Sequence, residues 1–189
     1  MNYSIKPEEH ELRQARQIVE TAIESSKHVL EKEDSLTLNL GHVSKDAVGS
    51  FGVFGEARTS ESGNIHFNTS VENWKQNLND LTLDIYGQSW FYEKNKPEFV
   101  WQQMLANITG LLLIDQVSDG REPNYNGLED EWRDKKDEVS EKLSYEKQEN
   151  FSWELKLLLG RKLLDSYDLS ELSDLNRSDV IEAGDETFL

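Results

Sequence analysis

The side chains able to carry chemistry in this 189-residue chain are carboxylates, hydroxyls and four histidines, because it holds no cysteine. A disulfide framework, a thiolate metal site and a cysteine nucleophile are therefore excluded. His10 and Glu11 open the pattern H-E-x-x-H, which on a helix sets two imidazoles on one face around zinc with the Glu as general base. The fifth residue is Gln14, so this stretch reads as a solvated helix face. His28, His42 and His66 fall on different expected elements with no second ligand at a fixed spacing. Asp84 and Gln88 stand at i and i+4 of an expected helix, a relation that could hold a hard, oxygen-seeking cation such as Mg²⁺ or Ca²⁺. One carboxylate is thin provision, and a hydrogen bond along the helix is the simpler role. Asp115, Asp119, Glu122, Glu129, Asp130 and Glu131 surround a loop without the D-x-[DN]-x-[DN]-G order of a calcium loop, which makes them solvated surface. Gly52 and Gly55 lead into a strand rather than a helix N-terminus, so they do not cradle phosphate. No G-x-S-x-G turn marks a hydrolase nucleophile.

Charge narrows the partners. With 37 acidic against 20 basic side chains the formal net charge is -17, a field that repels phosphate backbones and anionic headgroups. Nucleic acid and membrane surfaces are not expected partners. Such acidity serves solubility, or a high-salt cytoplasm in which screening removes the self-repulsion. If the second holds, molar KCl raises the unfolding midpoint, and a midpoint indifferent to salt counts against a halophile. The opening MNYSIKPEEHEL has no apolar signal core, and no apolar run reaches the roughly 18 residues of a membrane span. The expected location is cytoplasmic.

The elements that must position these residues follow from periodicity. Pro7, Glu8 and Glu9 make a helix start, and apolar residues from Leu12 to Leu30 at helical spacing extend it to about residue 32. Leu36, Leu38 and Leu40 alternate with polar residues as a half-buried strand. FGVFGEAR (51–58) and NIHFN (64–68) read as two strands joined by a hairpin turn. From Val71 a helical stripe runs through Trp74, Leu78, Leu81, Ile85 and Tyr92, and a second long helix follows Pro97. Residues 120–127 read as a loop, 128–145 as a charged surface helix, 151–167 as an apolar helix, and a short helix capped by Asn176 or Ser178 runs through Ala183. The five Trp residues are expected in the core. No repeat or linker divides the chain, so one α+β domain over 1–189 is expected, with a small N-terminal sheet and a mostly helical C-terminal half.

The pieces GVFGEAR (52–58), NIHFN (64–68), VENW (71–74) and LTLDIYGQSWFYE (81–93), with ITGLLL (108–113) and WELKLLLGRKLLDSY (153–167) further on, resemble an uncharacterised microbial family of predicted zinc-dependent proteases. The resemblance spans about residues 36–188 and implies a zincin-like fold. It gives the first zinc-ligating His position to Asp84, the catalytic Glu to Ile85, the second His to Gln88 and the third ligand to Thr109. An amide and a hydroxyl are poor substitutes for imidazole and carboxylate, and an isoleucine cannot take a proton from metal-bound water. The family's zinc therefore has no ligands here, no cofactor is expected, and no residue is assigned a catalytic or metal-binding role.

The resemblance implies a non-catalytic homologue retained to bind a peptide or protein. The cleft edge would be Ile65, His66 and Phe67, where an extended segment would add to the sheet. One alternative is an active metallopeptidase with a non-standard ligand set, such as Asp84 with His66. A further alternative is an α+β protein unrelated to proteases.

Overall fold

The computed structural model describes residues 9–118, 122–141 and 151–189. The expected helix start at Pro7, Asp119 and the last part of the expected 128–145 helix lie outside them. The chain is an α+β protein with one small sheet and mostly helical content, and it divides into two compact units, residues 1–93 and 94–189. Among the described residues no helix is long and apolar enough to cross a membrane.

The first unit is built on a three-stranded mixed sheet: β1 (Thr37–His42), β2 (Val53–Ala57) and β3 (Ser62–Phe67), in the order β1-β3-β2. β3 runs parallel to β1 and antiparallel to β2, with Leu40 and Gly55 both opposite Ile65. The alternation of side chains sends Ile65 and Phe67 into the core and His66 to the other face of the sheet. Two helices supply that core, α1 (Glu9–Lys27) and α3 (Trp74–Lys94); a single turn, α2 (Lys45–Val48), precedes a 3₁₀ turn at Gly49–Phe51. Ala15 and Val19 of α1 and Trp74, Leu78 and Ile85 of α3 meet Ile65 and Phe67, and Trp74 stacks on the Phe67 ring at 5.8 Å. Gly52 enters β2 with φ 72°, a left-handed conformation, and a Cβ there would strike Val71.

α1 ends earlier than its apolar periodicity predicts, at Lys27 rather than about 32. Tertiary bonds hold the segment that follows it. The Leu30 carbonyl accepts from the Tyr86 hydroxyl at 2.9 Å, and the Glu31 carbonyl accepts from Trp90 Nε1 at 3.0 Å. One turn further along α3, Glu93 accepts from Lys32 Nζ at 2.7 Å and from the backbone N–H groups of Glu33 and Asp34, both at 3.1 Å. Lys32 also donates to the Ser60 carbonyl at 2.9 Å. Residues 86, 90 and 93 of one helix thus clamp the segment from Leu30 to Asp34.

Burial, and next the charge of Glu93, push the Tyr86 phenol up to about 12. An acid held neutral in the fold while its unfolded form ionises near ~10 gives up stability only as pH rises from there toward the folded value. A phenolate absorbance titration is expected to show a late phase that Tyr86→Phe removes, with unfolding midpoints falling over the same alkaline window. A Tyr86 that ionises with the exposed tyrosines would contradict the clamp.

The second unit is helical: α4 (Val100–Val117), α5 (Leu128–Ser140), α6 (Trp153–Leu163) and α7 (Arg177–Phe188), with a 3₁₀ turn at Leu169–Asp174. α6 stops earlier than expected, α7 runs beyond Ala183 to Phe188, and Asn176 caps α7 by accepting from Ser178 N at 2.8 Å. α4 and α6 approach at Gly160, where a Cβ would strike Ile108 and Leu112, and the Arg161 guanidinium bridges them by donating twice to Asp115, at 2.8 and 3.0 Å. α5 and α7 approach at Gly184, which lies against the Trp132 indole. Asp185 accepts from Lys136 at 2.9 Å and from Trp132 Nε1 at 3.3 Å, and these two donors hold its carboxyl below the usual range. Trp74, Trp90 and Trp132 are buried as expected, but Trp153 is 39% exposed at the first turn of α6.

Gly184 yields a prediction with an informative sign. In an open helix Gly→Ala stabilises by roughly 0.5–1 kcal/mol. Here the added methyl would overlap the Trp132 ring, so Gly184→Ala is expected to destabilise by about 1–3 kcal/mol in urea unfolding. A stabilised variant would show that α5 and α7 do not meet there.

Candidate functional site

The positions that the sequence marks out on α3 are set by how that helix meets the sheet. β2 and β3 carry glycines at the crossing, Gly55 and Gly63, paired within the same two strands. A Cβ on Gly55 would overlap the Asn64 carbonyl and lie 3.2 Å from Ile85 Cδ1; one on Gly63 would lie 3.1 Å from Ile85 Cγ2. The helix therefore approaches the sheet backbone as closely as two missing side chains allow, and Ile85 fills the gap with no exposed surface. Ile85 is a core contact.

Asp84 and Gln88 lie beside this contact face, each half-buried. Other polar side chains of α3 are used within the helix: Thr82 Oγ1 donates to the Leu78 carbonyl at 2.7 Å, Ser89 Oγ to the Tyr86 carbonyl at 2.9 Å, and Asp80 accepts from Gln76 Nε2 at 2.9 Å. Thr109, on α4 in the second unit, is fully buried and its hydroxyl donates to the Leu105 carbonyl at 2.8 Å. These residues do not fit zinc: of the four positions, one is aliphatic and sealed, one is a hydroxyl already donated, one is an amide, and one is a single carboxylate. Among the described residues no three His, Asp or Glu side chains group as a metal site.

The combination of Asp84 with His66 is not assembled. His66 lies on the sheet face opposite the one on which Ile65, Phe67 and Ile85 pack, so the sheet separates it from α3. Its imidazole lies over Gly41, where an added Cβ would come within 3.0 Å of Nδ1, and that buried nitrogen has no hydrogen-bond partner. His42 meets the Phe67 ring edge-on at 5.4 Å, His28 and His10 are exposed, and Glu11 accepts from the Thr69 hydroxyl at 2.5 Å.

The expected cleft edge requires a correction. Ile65, His66 and Phe67 belong to β3, which is the central strand and is hydrogen-bonded on both sides. Its backbone cannot receive a further strand. The cause is β1, which precedes the hairpin in sequence but pairs beside its second strand rather than its first.

Among the described residues, β2 is the edge strand next to α3, unpaired on its outer side. Asn68 N donates to the Gly52 carbonyl at 2.8 Å and Arg58 N to the Ser62 carbonyl at 2.9 Å. Antiparallel alternation then turns the backbone groups of Phe54 and Glu56 toward β3 and those of Val53, Gly55 and Ala57 outward. Phe51 and Phe54 flank this edge with 70% and 60% of their surfaces exposed, and Glu56 and Arg58 lie 3.7 Å apart at its far end. Sequence reasoning could find the aromatic run but not its exposure, because alternation alone does not say which strand is outermost.

Compared with known proteins, the chain matches no family model, no curated protein and no solved structure.

Proposed function

We propose that the chain is a non-catalytic, zincin-like protein that binds an extended peptide segment of a partner protein along the outer edge of β2. The observation that carries this reading is the row of outward backbone groups at Val53, Gly55 and Ala57 beside two exposed phenylalanines. An unpaired strand edge supplies main-chain hydrogen bonds to an added strand, and apolar side chains beside it supply affinity. The core role of Ile85 and the internal hydrogen bond of Thr109 support a binding protein over a metallopeptidase.

The test is selection of peptides from a random displayed library on the purified chain, followed by mapping through backbone amide shifts. Selected peptides are expected to perturb residues 51–58, and Phe54→Lys is expected to weaken them about tenfold or more, as for an exposed aromatic anchor. Phe54 is mostly solvent-exposed, so the variant folds. Peptides that bind elsewhere, with affinities that Phe54→Lys leaves unchanged, would sink the proposal.

A further inference from the structure

We propose that Asn126 and Gly127 form a self-modifying site, at which the Asn126 amide converts to aspartyl and isoaspartyl residues without an enzyme. The step Asn126-Gly127 is the one Asn-Gly pair in the sequence; every other asparagine is followed by a residue with a side chain. Asparagine is a thermally labile side chain, and its lability is greatest where the next amide nitrogen can reach its carbonyl carbon unhindered. Glycine removes the hindrance.

The fold leaves that approach open. Both residues are exposed in the turn that leads into α5. Gly127 sits at φ 80° with nothing within 4 Å of the place a Cβ would take, so the linking peptide can turn without displacing a neighbour. Its carbonyl accepts from Glu131 N at 3.0 Å, while its own N–H enters no backbone hydrogen bond among the described residues. Asn126 is held by its backbone, whose N–H donates to Asn124 Oδ1 at 3.2 Å, and that bond leaves the side chain to rotate.

The chemistry balances with water alone. The Gly127 nitrogen loses its proton to base and attacks Cγ of Asn126; the bond from Cγ to the side-chain nitrogen breaks, and that nitrogen takes a proton and leaves as ammonia. The resulting cyclic imide is opened by water. Breaking the new Cγ–N bond gives aspartate, and breaking the original peptide C–N bond gives isoaspartate, whose backbone runs through one extra carbon. Either product places a negative charge one residue before the α5 N-cap, Gly127, and next to Glu129, Asp130 and Glu131 of the first turn. α5 carries Trp132 against Gly184, so the modification acts on the element that holds α7.

The test is peptide mapping by mass spectrometry of the folded chain incubated at neutral and mildly alkaline pH, with isoaspartate detected by enzymatic methylation. Conversion is expected at Asn126 ahead of every other asparagine, with a rate that rises in proportion to hydroxide and is lost in Asn126→Gln. Two results would overturn it: conversion first at another asparagine, or a folded chain that stays intact while the urea-unfolded chain converts at Asn126.

Discussion

Ile85→Glu, which puts a carboxylate at the position that the resemblance gives to a general base, is expected to destabilise the chain by more than about 4 kcal/mol and to bring no hydrolytic activity. The apolar loss alone, for a side chain with no exposed surface between Gly55 and Gly63, is about 1.5–3 kcal/mol. An unpartnered carboxyl in the same gap adds about 1–3 kcal/mol even when neutral. In thermal unfolding of a chain this size, where 1 kcal/mol moves the midpoint by about 2–4 °C, the drop is ~10 °C or more. The introduced carboxyl stays protonated in the fold while its unfolded form ionises near ~4.3, so the loss deepens as pH rises above that value. Ile85→Val, by comparison, costs about 0.5–1.5 kcal/mol. A fully stable Ile85→Glu variant would mean that residue 85 faces an open cleft.

Glu93→Gln is the second large effect, expected at about 3–5 kcal/mol, because it leaves the Lys32 ammonium buried without its counter-charge. The Lys32 and Glu93 side chains are only 3% and 8% exposed, and the fold supplies each with backbone partners, among them the Ser60 carbonyl for Lys32 and the N–H groups of Glu33 and Asp34 for Glu93. Replacing both residues, as Lys32→Met with Glu93→Leu, is expected to recover part of the loss, since an apolar pair of similar volume often matches a buried ion pair. Recovery stays partial because the Glu33 and Asp34 amides lose their acceptor. A double-mutant cycle in urea measures the coupling; single and double variants that cost the same, each under ~1 kcal/mol, would show that the pair does not hold the loop.

Much of this architecture is legible in the sequence where the signal is local. The stripe of Trp74, Leu78 and Ile85 marks α3, the alternation of Leu38 and Leu40 marks β1, and Asn176 caps α7. What the sequence hides is long-range. Lys32 and Glu93 lie 61 positions apart, and nothing in either neighbourhood points to the other. The place of β3 at the centre of the sheet depends on where β1 docks, so a hairpin that reads correctly still gave the wrong free edge. α1 stops at Lys27 although apolar periodicity continues to Leu30, and the segment beyond it is held by Tyr86 and Trp90, contacts periodicity cannot register. α2, a single turn of four residues, is too short to leave a periodic signal. The candidate motif was legible as a set of positions, but only the glycines opposite Ile85 show that its helix face is turned into the core.

α3 packs against the sheet through Ile85, and calorimetric titration of the metal-stripped chain with Zn²⁺, repeated on Asp84→Ala, tests whether it also holds a metal ion. No stoichiometric binding and identical traces for the two proteins are expected. Tight one-to-one binding that Asp84→Ala abolishes would contradict a purely structural helix and favour the metallopeptidase reading.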